Sequence, residues 1–176
     1  MPARNVEIKV RIRDFSSLRD RVIALTGCAE PHQTLRQVDT FFVCPSGRLK
    51  LRVINDQKEG ELSHYDRPNV AGVKLSDYVK STVPDASAMK EILTRGYGII
   101  GEVRKARDLW LIDQTRVHLD TVDSLGTFAE LEVVLGADQT VEDGEKIANK
   151  IIADLNLTAG SNEIISEAYI DLLTSK

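Results

Sequence analysis

Short segments in which apolar and charged residues alternate recur through this chain, and they constrain its fold more than any other feature. The first is VEIKVRI, from Val6 to Ile12. Because successive side chains of a β-strand point to opposite faces, each such segment has one apolar face and one charged face. The same alternation returns in RLKLRV, RVHLD and FAELEVV. The pattern therefore predicts an antiparallel sheet with its apolar face against a core.

Four segments with helical spacing accompany these strands: DFSSLRDRVIALTG, DASAMKEILTRG, VEDGEKIANKIIADLN and NEIISEAYIDLLTSK. The order is strands, helix, strands, helix, which indicates an α+β architecture in which helices brace a closed or strongly curved antiparallel sheet. The length of 176 residues fits one domain spanning residues 1–176.

The net charge of -4 argues against general nucleic-acid binding, which would require a basic excess over the whole domain. Neither an apolar signal region nor a membrane-length apolar run is found in the sequence. We therefore expect a cytoplasmic protein that binds no membrane.

The charged faces of the predicted strands consist almost entirely of Arg, Lys, Glu and Asp. They group Glu7 with Lys9 and Arg11, Arg48 with Lys50 and Arg52, Lys105 with Arg107, Arg116 with His118 and Asp120, and Glu130 with Glu132, while Arg67 ends ELSHYDR. A solvated polar face is the ordinary explanation for any single strand. If the sheet closes with its apolar side outward, however, these charges share an interior, where they must be paired or must bind an ion or ligand.

This mixture of charges indicates the kind of ligand. Arginine and lysine side chains suit phosphate oxygens, whereas carboxylates alone would repel a polyphosphate. A hard divalent cation such as Mg2+ or Mn2+ reconciles the two because it prefers oxygen ligands. A metal-chelated triphosphate is the simplest ligand that satisfies both sets, with Glu7 facing the metal and Lys9 a phosphate.

The segments NVEIKV, VDTFF, GRLKLR, SDY, RKAR and RVHLD through LGTFAELEVV resemble the CYTH superfamily, in order and spacing, from Asn5 to about Tyr169. The resemblance implies a closed antiparallel barrel of about eight strands, the triphosphate tunnel. It also implies a cofactor, Mg2+ or Mn2+, and a small-molecule triphosphate such as ATP, tripolyphosphate or thiamine triphosphate. Its expected phosphate-binding residues are Lys9, Arg11, Lys50, Arg52, Arg67, Lys105, Arg107 and Arg116, and its expected metal ligands are Glu7, Asp120, Glu130 and Glu132.

Three positions depart from the family pattern. Asn5 replaces the first glutamate of the family's ExExK motif, so an amide oxygen would take the place of a charged metal ligand. Phe41 follows the DT dipeptide where triphosphatases of the family often have tyrosine, and Ser63 or Tyr65 stands where they have a lysine that helps to activate water. The charged faces and the resemblance lead us to expect a metal-dependent triphosphate hydrolase. Because of these departures, two alternatives stay open: a class IV adenylyl cyclase and a catalytically silent polyphosphate or nucleotide binder.

Two further points concern His118 and the assembly. Because Arg116 and Asp120 share its face, we expect His118 to be a hydrogen-bonded histidine in preference to a general acid or metal ligand. A homodimer is possible, although the sequence does not define the oligomeric state.

Overall fold

The computed structural model describes residues 3–66, 69–158, 160 and 162–175. The strands are β1 (Ala3–Arg11), β2 (Gln33–Phe42), β3 (Arg48–Ile54), β4 (Gly60–Asp66), β5 (Lys74–Val83), β6 (Ile99–Ile112), β7 (Thr115–Val122), β8 (Gly126–Val134) and β9 (Glu163–Ile165). The helices are α1 (Phe15–Thr26), α2 (Ala86–Tyr97), α3 (Val141–Asp154) and α4 (Tyr169–Thr174).

The sheet closes on itself. Its strands follow the order β5, β4, β3, β2, β6, β7, β8, β1, and β1 pairs back with β5, so eight antiparallel strands form a barrel. The ninth strand, β9, pairs with Lys9–Arg11 at the far end of β1, beyond the part that pairs with β5. The α+β barrel predicted from the sequence is therefore confirmed.

Alternation along the strands places apolar side chains outside the barrel, where the helices cover them. Ile8 of β1 and Leu119 of β7 pack with Leu18 of α1 and Ile151 of α3 in one buried cluster. A second cluster joins β2 and β3 to α2, and a third joins β1 and β8 to α3. Each fully buried aliphatic side chain contributes about 1.5 to 3 kcal/mol, so this outer layer stabilises the fold while the charged faces turn inward.

The helices begin at residues that cap them. The Asp14 and Asp85 side chains accept hydrogen bonds from backbone N–H groups in the first turns of α1 and α2. Thr140 and Asp143 form a capping box at the start of α3. Within the described part of the chain, none of the helices has the length and apolar character needed to cross a bilayer.

The last predicted helix is wrong over its first half. Glu163–Ile165 is extended and pairs with β1, and α4 begins only at Tyr169. Backbone pairing to an open part of β1 outweighs the helical spacing here, and it buries Ile165 beside Phe128. Sequence periodicity does not reveal such a partner because it lies far away along the chain.

Helix α4 closes one end of the barrel. Tyr169 and Ile170 pack against interior-facing apolar residues of the strands, namely Phe41, Val103, Val122 and Phe128. We call these six residues the apolar plug. The charged layer of the interior lies directly beyond it.

Candidate active site

The barrel interior contains a cavity of about 180 Å3, and most of the residues predicted from the charged faces line it. Those that do so are Glu7, Lys9, Lys50, Arg52, Lys105, Arg107, Arg116, Glu130 and Glu132. The ionic side chains are thus brought together in one enclosed space instead of spreading over an outer surface.

Four of these residues form what we call the basic cluster: Lys50 and Arg52 from β3, and Lys105 and Arg107 from β6. Asp39 of β2 organises the β3 pair. It accepts two hydrogen bonds from Arg52, from Nε to Oδ1 and from Nη2 to Oδ2, each 2.7 Å long. Its Oδ2 lies 3.8 Å from Lys50 Nζ and 4.0 Å from Lys105 Nζ. Burial alone would raise the pKa of Asp39, but Arg52 and the two lysines hold it far below its usual value.

The two lysines of the basic cluster have pKa values close to neutral pH. Burial, reinforced by the nearby Arg52 charge, lowers the pKa of Lys50 to about 8. Burial and the Arg107 charge lower the pKa of Lys105 to about 7. An anionic ligand entering the cavity would favour the protonated form of both lysines because opposite charges stabilise each other.

Arg107 anchors the deep part of the cavity. Its Nε and Nη2 each donate to Asp120 over 2.6 Å, and Nη2 also donates to Glu130 Oε2 over 2.9 Å. The Tyr169 hydroxyl donates to Asp120 Oδ2 over 2.9 Å, which joins this network to the apolar plug. Although burial alone would lower it, these carboxylates hold the pKa of Arg107 well above its ordinary value. Arg107 is therefore a permanent positive charge at the closed end.

His118, Glu130 and Glu132 form a second group on β7 and β8, which we call the carboxylate–imidazole group. One nitrogen of His118 and one oxygen of each glutamate lie within 4.8 Å of one another, close enough for one metal ion to bind all three. Burial and the Arg107 charge lower the pKa of His118 to about 4, so its imidazole is neutral near pH 7.

Five buried polar side-chain atoms have no hydrogen-bond partner among the described residues, and two of them, Asn5 Oδ1 and His118 Nδ1, belong to β1 and β7. The others are Arg19 Nε, Gln37 Oε1 and Thr115 Oγ1. Buried polar atoms in folded proteins are normally paired with protein, water or an ion, so Asn5 Oδ1 and His118 Nδ1 are available to bind one of these in the cavity. The expectation that His118 is fully hydrogen-bonded is therefore wrong for Nδ1. Oxygen and imidazole nitrogen donors, together with two carboxylates, fit a divalent cation.

Glu7 and Lys9 of β1 are both buried beside this group. Glu7 lies opposite Glu132 in the strand register and Lys9 lies opposite Glu130. Lys9 Nζ donates to the Glu167 carbonyl over 3.2 Å and lies 4.0 Å above the Tyr169 ring.

Three predicted site residues are placed differently from the rest. Arg11 does not line the cavity; it donates to the Leu125 carbonyl over 2.7 Å and lies over the Phe128 ring. Asp120 is not among the residues that line the cavity; it accepts from Arg107 and Tyr169, and Arg107 Nη2 links it to Glu130 of the carboxylate–imidazole group. Arg67 lies outside the described residues.

Sequence reasoning missed Asp39 and Tyr169 as site residues. Asp39 was detectable, because QVDTFF places it on the same face as Gln37 and Phe41. Tyr169 carried no comparable signal, since its contact with Asp120 depends on how α4 docks. The departures noted from the family pattern, Asn5, Phe41 and either Ser63 or Tyr65, all line the cavity.

Comparisons with known proteins show the family to which the chain belongs. The CYTH domain family matches residues 3–164, and the chain belongs to that family. Members are metal-dependent in general and bind triphosphate substrates such as ATP, and the described residues contain an acidic group able to hold a cation. No curated protein matches the sequence significantly.

Solved structures share the fold along nearly the whole chain. A Pyrococcus horikoshii protein is similar with a TM-score of 0.80 and 23% identity, over 96% of this chain and 98% of that one. A conserved hypothetical protein of Pyrococcus furiosus gives a TM-score of 0.76 and 21% identity, over 96% and 99%. A proposed adenylate cyclase of Vibrio parahaemolyticus gives 0.74 and 16%, over 97% of each chain. At these identities the likeness shows the fold.

Proposed function

We propose that this protein hydrolyses a triphosphate-containing substrate, either an organic triphosphate or tripolyphosphate, in a metal-dependent reaction inside the barrel. The observation that carries the proposal is a partly open cavity inside the barrel that the basic cluster lines together with Glu130 and Glu132 of the carboxylate–imidazole group. Neither set alone would suit the ligand. The lysine and arginine side chains bind phosphate oxygens, and the carboxylates, which would repel those oxygens, need a metal ion between the two.

The size of the cavity supports a phosphate chain as the part that enters. At about 180 Å3 it is smaller than the roughly 300 to 1,000 Å3 of pockets that enclose whole organic ligands. The polyphosphate would fill the charged interior, and any organic group would lie at the mouth. Arg116, whose side chain is 39% exposed, is placed to meet the ligand there.

The residues divide into two roles. The phosphates would be held by the basic cluster together with Lys9 and Arg116, and the cation by Glu7, Glu130 and Glu132 with Asn5 Oδ1 completing the oxygen donors. Asp120 contributes by fixing Arg107, with which it makes two hydrogen bonds. The bound cation would supply charge neutralisation and polarise a phosphoryl oxygen.

Catalysis would then rest on positioning and electrostatic stabilisation, which is what phosphoryl transfer mostly requires of a protein. Asp39 holds Arg52 by two parallel hydrogen bonds, so its guanidinium is oriented before substrate arrives. Lys105, whose pKa is about 7, can take up a proton from solvent as the anion enters and return it as products leave. Lys50, whose pKa is about 8, already carries most of its positive charge at neutral pH.

A second candidate function is cyclisation of ATP with release of pyrophosphate, and one observation favours it. Phe41 lines the cavity where triphosphatases similar to this chain often have tyrosine, and Ser63 or Tyr65 lines it where they have lysine. Phe41 cannot transfer a proton and no lysine stands at the other position, whereas cyclisation needs no water because the ribose 3'-hydroxyl attacks the α-phosphate. The fold likeness to a proposed adenylate cyclase is compatible with this reaction.

Product analysis separates the candidates. Purified protein is incubated with Mg2+ or Mn2+ and with ATP, tripolyphosphate or thiamine triphosphate. Orthophosphate release supports hydrolysis, whereas cyclic AMP with pyrophosphate supports cyclisation. Saturable binding without turnover would overturn both and leave a silent binder.

A further inference from the structure

His118 is not among the residues expected to hold a cation, yet it lies beside two of them. On β7 it alternates with Val117 and Leu119, which face the outer core, so its imidazole points into the barrel. It is 3% exposed and lies opposite Glu130 in the strand register. Its Nδ1 atom has no hydrogen-bond partner.

The distance from His118 Nδ1 to the Glu132 carboxylate distinguishes a hydrogen bond from a shared metal ion. His118 Nδ1 is 3.8 Å from Glu132 Oε1, beyond the roughly 3.2 Å limit of an N–H···O hydrogen bond. Two atoms bound to one cation, each over about 2.1 Å, lie about 3 to 4.2 Å apart. The 3.8 Å separation thus suits two ligands of one ion better than a donor and its acceptor.

The arginine partners of the two glutamates leave this arrangement in place. Arg116 Nη1 donates to Glu132 Oε2, at 3.3 Å, so the contact with His118 involves the other oxygen. Arg107 donates to Glu130 Oε2 over 2.9 Å and orients that carboxylate. One nitrogen of His118 and one oxygen of each glutamate lie within 4.8 Å of one another, so a small side-chain adjustment would close the three residues around an ion.

We infer that His118 Nδ1 is itself a ligand of the cation held by Glu130 and Glu132, and that this nitrogen makes the site prefer Mn2+ to Mg2+. Imidazole nitrogen suits transition ions, whereas Mg2+ is bound almost wholly by oxygen. The inference rests on the proposed function, since it concerns the same cation site, and it names the residue that sets the choice of metal.

The test measures metal binding directly, without substrate or turnover. Mn2+ is titrated into the full-length wild-type protein and affinity is followed by electron paramagnetic resonance, with Mg2+ as competitor. Pulsed measurements on the Mn2+ complex then look for the coupling of an imidazole nitrogen. We expect that coupling and at least about tenfold tighter binding of Mn2+ than of Mg2+.

Two variants sharpen the test. His118→Asn places an amide near the position of Nδ1, and we expect it to lose the nitrogen coupling and about tenfold or more of Mn2+ affinity while Mg2+ affinity changes little. His64→Asn is the matched control, because His64 is exposed and bonds only the Ser46 carbonyl in the described contacts. It should keep wild-type binding and coupling.

The outcomes separate this inference from the proposed function. Mn2+ binding without imidazole coupling, or unchanged in His118→Asn, overturns the inference and leaves hydrolysis standing. Coupling without any turnover supports the inference and overturns hydrolysis. A wild-type protein that binds neither ion overturns both. The wild-type spectrum alone decides the ligand if His118→Asn fails to fold.

Discussion

The Asp39 side and the Glu132 side of the cavity carry similar numbers of charges but pair them differently. On the first, both oxygens of Asp39 accept from Arg52 at 2.7 Å, and two lysines lie close by. On the second, the described contacts of Glu132 include a longer one of 3.3 Å to Arg116 and a 3.8 Å approach from His118. The Asp39 carboxylate is paired by the protein's own cations, although Gln37 Oε1 on the same face of β2 has no partner among the described residues. On the second side, the unpaired atoms Asn5 Oδ1 and His118 Nδ1 lie beside carboxylates that could share a metal with them. The paired Asp39 fixes the position of the Arg52 guanidinium, whereas the carboxylate–imidazole group leaves room for a metal ion.

The largest expected effect is a loss of stability when Asp39, which pairs with Arg52, is removed. Asp39→Ala leaves Arg52 buried without its partner, so we expect the free energy of unfolding to fall by about 3 to 5 kcal/mol. Urea denaturation followed by circular dichroism measures it. Glu91→Ala removes an exposed partner of Arg95 and should cost less than about 1 kcal/mol. Equal losses in the two variants would mean that the Asp39 pair is not structural.

Removing the negative charge of Glu132 should lower turnover more than it lowers stability. Glu132→Gln keeps the shape but removes a charge from the carboxylate–imidazole group, and we expect metal-dependent turnover to fall by about 100-fold or more. Turnover is measured as product release at saturating metal. Glu163→Gln, at a 68% exposed side chain outside the cavity, serves as the control. Wild-type turnover in Glu132→Gln would remove this residue from the metal site.

Lys50 should make triphosphate binding depend on pH. Because its pKa is about 8, the positive charge is present below that pH and lost above it, so affinity for tripolyphosphate should weaken as pH rises through 8. Lys50→Arg stays protonated, and its affinity relative to wild type should rise between about pH 7 and about pH 10. Lys50→Ala should bind about tenfold more weakly at neutral pH. Calorimetric titration at several pH values measures all three, and a constant ratio between wild type and Lys50→Arg would contradict the assignment.

The smallest effect is expected at the mouth of the cavity. The Arg116 side chain is 39% exposed, so water screens its pairing with Glu132. Arg116→Ala should change the free energy of unfolding by less than about 1 kcal/mol and weaken tripolyphosphate binding less than Lys50→Ala does. Denaturation and calorimetry give the two values. A loss of stability as large as that of Asp39→Ala would erase the contrast between the two sides.

Much of the barrel and its charged interior was predictable because strand alternation is a local property. RLKLRV places Lys50 and Arg52 on one face whatever the neighbouring strand is. Pairing partners are not local, so the sequence did not indicate that Asp39 holds Arg52 or that Tyr169 docks on Asp120. The extended Glu163–Ile165 segment was missed for the same reason, since its strand depends on β1. The unpaired Nδ1 of His118 is likewise a property of distances across the folded barrel.

The position of β1 has a consequence for how the barrel assembles. β1 alone joins β5 to β8, facing Lys74 on one side and Glu132 on the other at Glu7, and both partners lie far away along the chain. Pairings of such long range form slowly, because closing the intervening loops costs entropy before any contact compensates for it. Until β1 has paired with both β5 and β8, the charged side chains of the interior stay hydrated. The free-energy cost of removing water from them therefore belongs to the step in which the barrel closes.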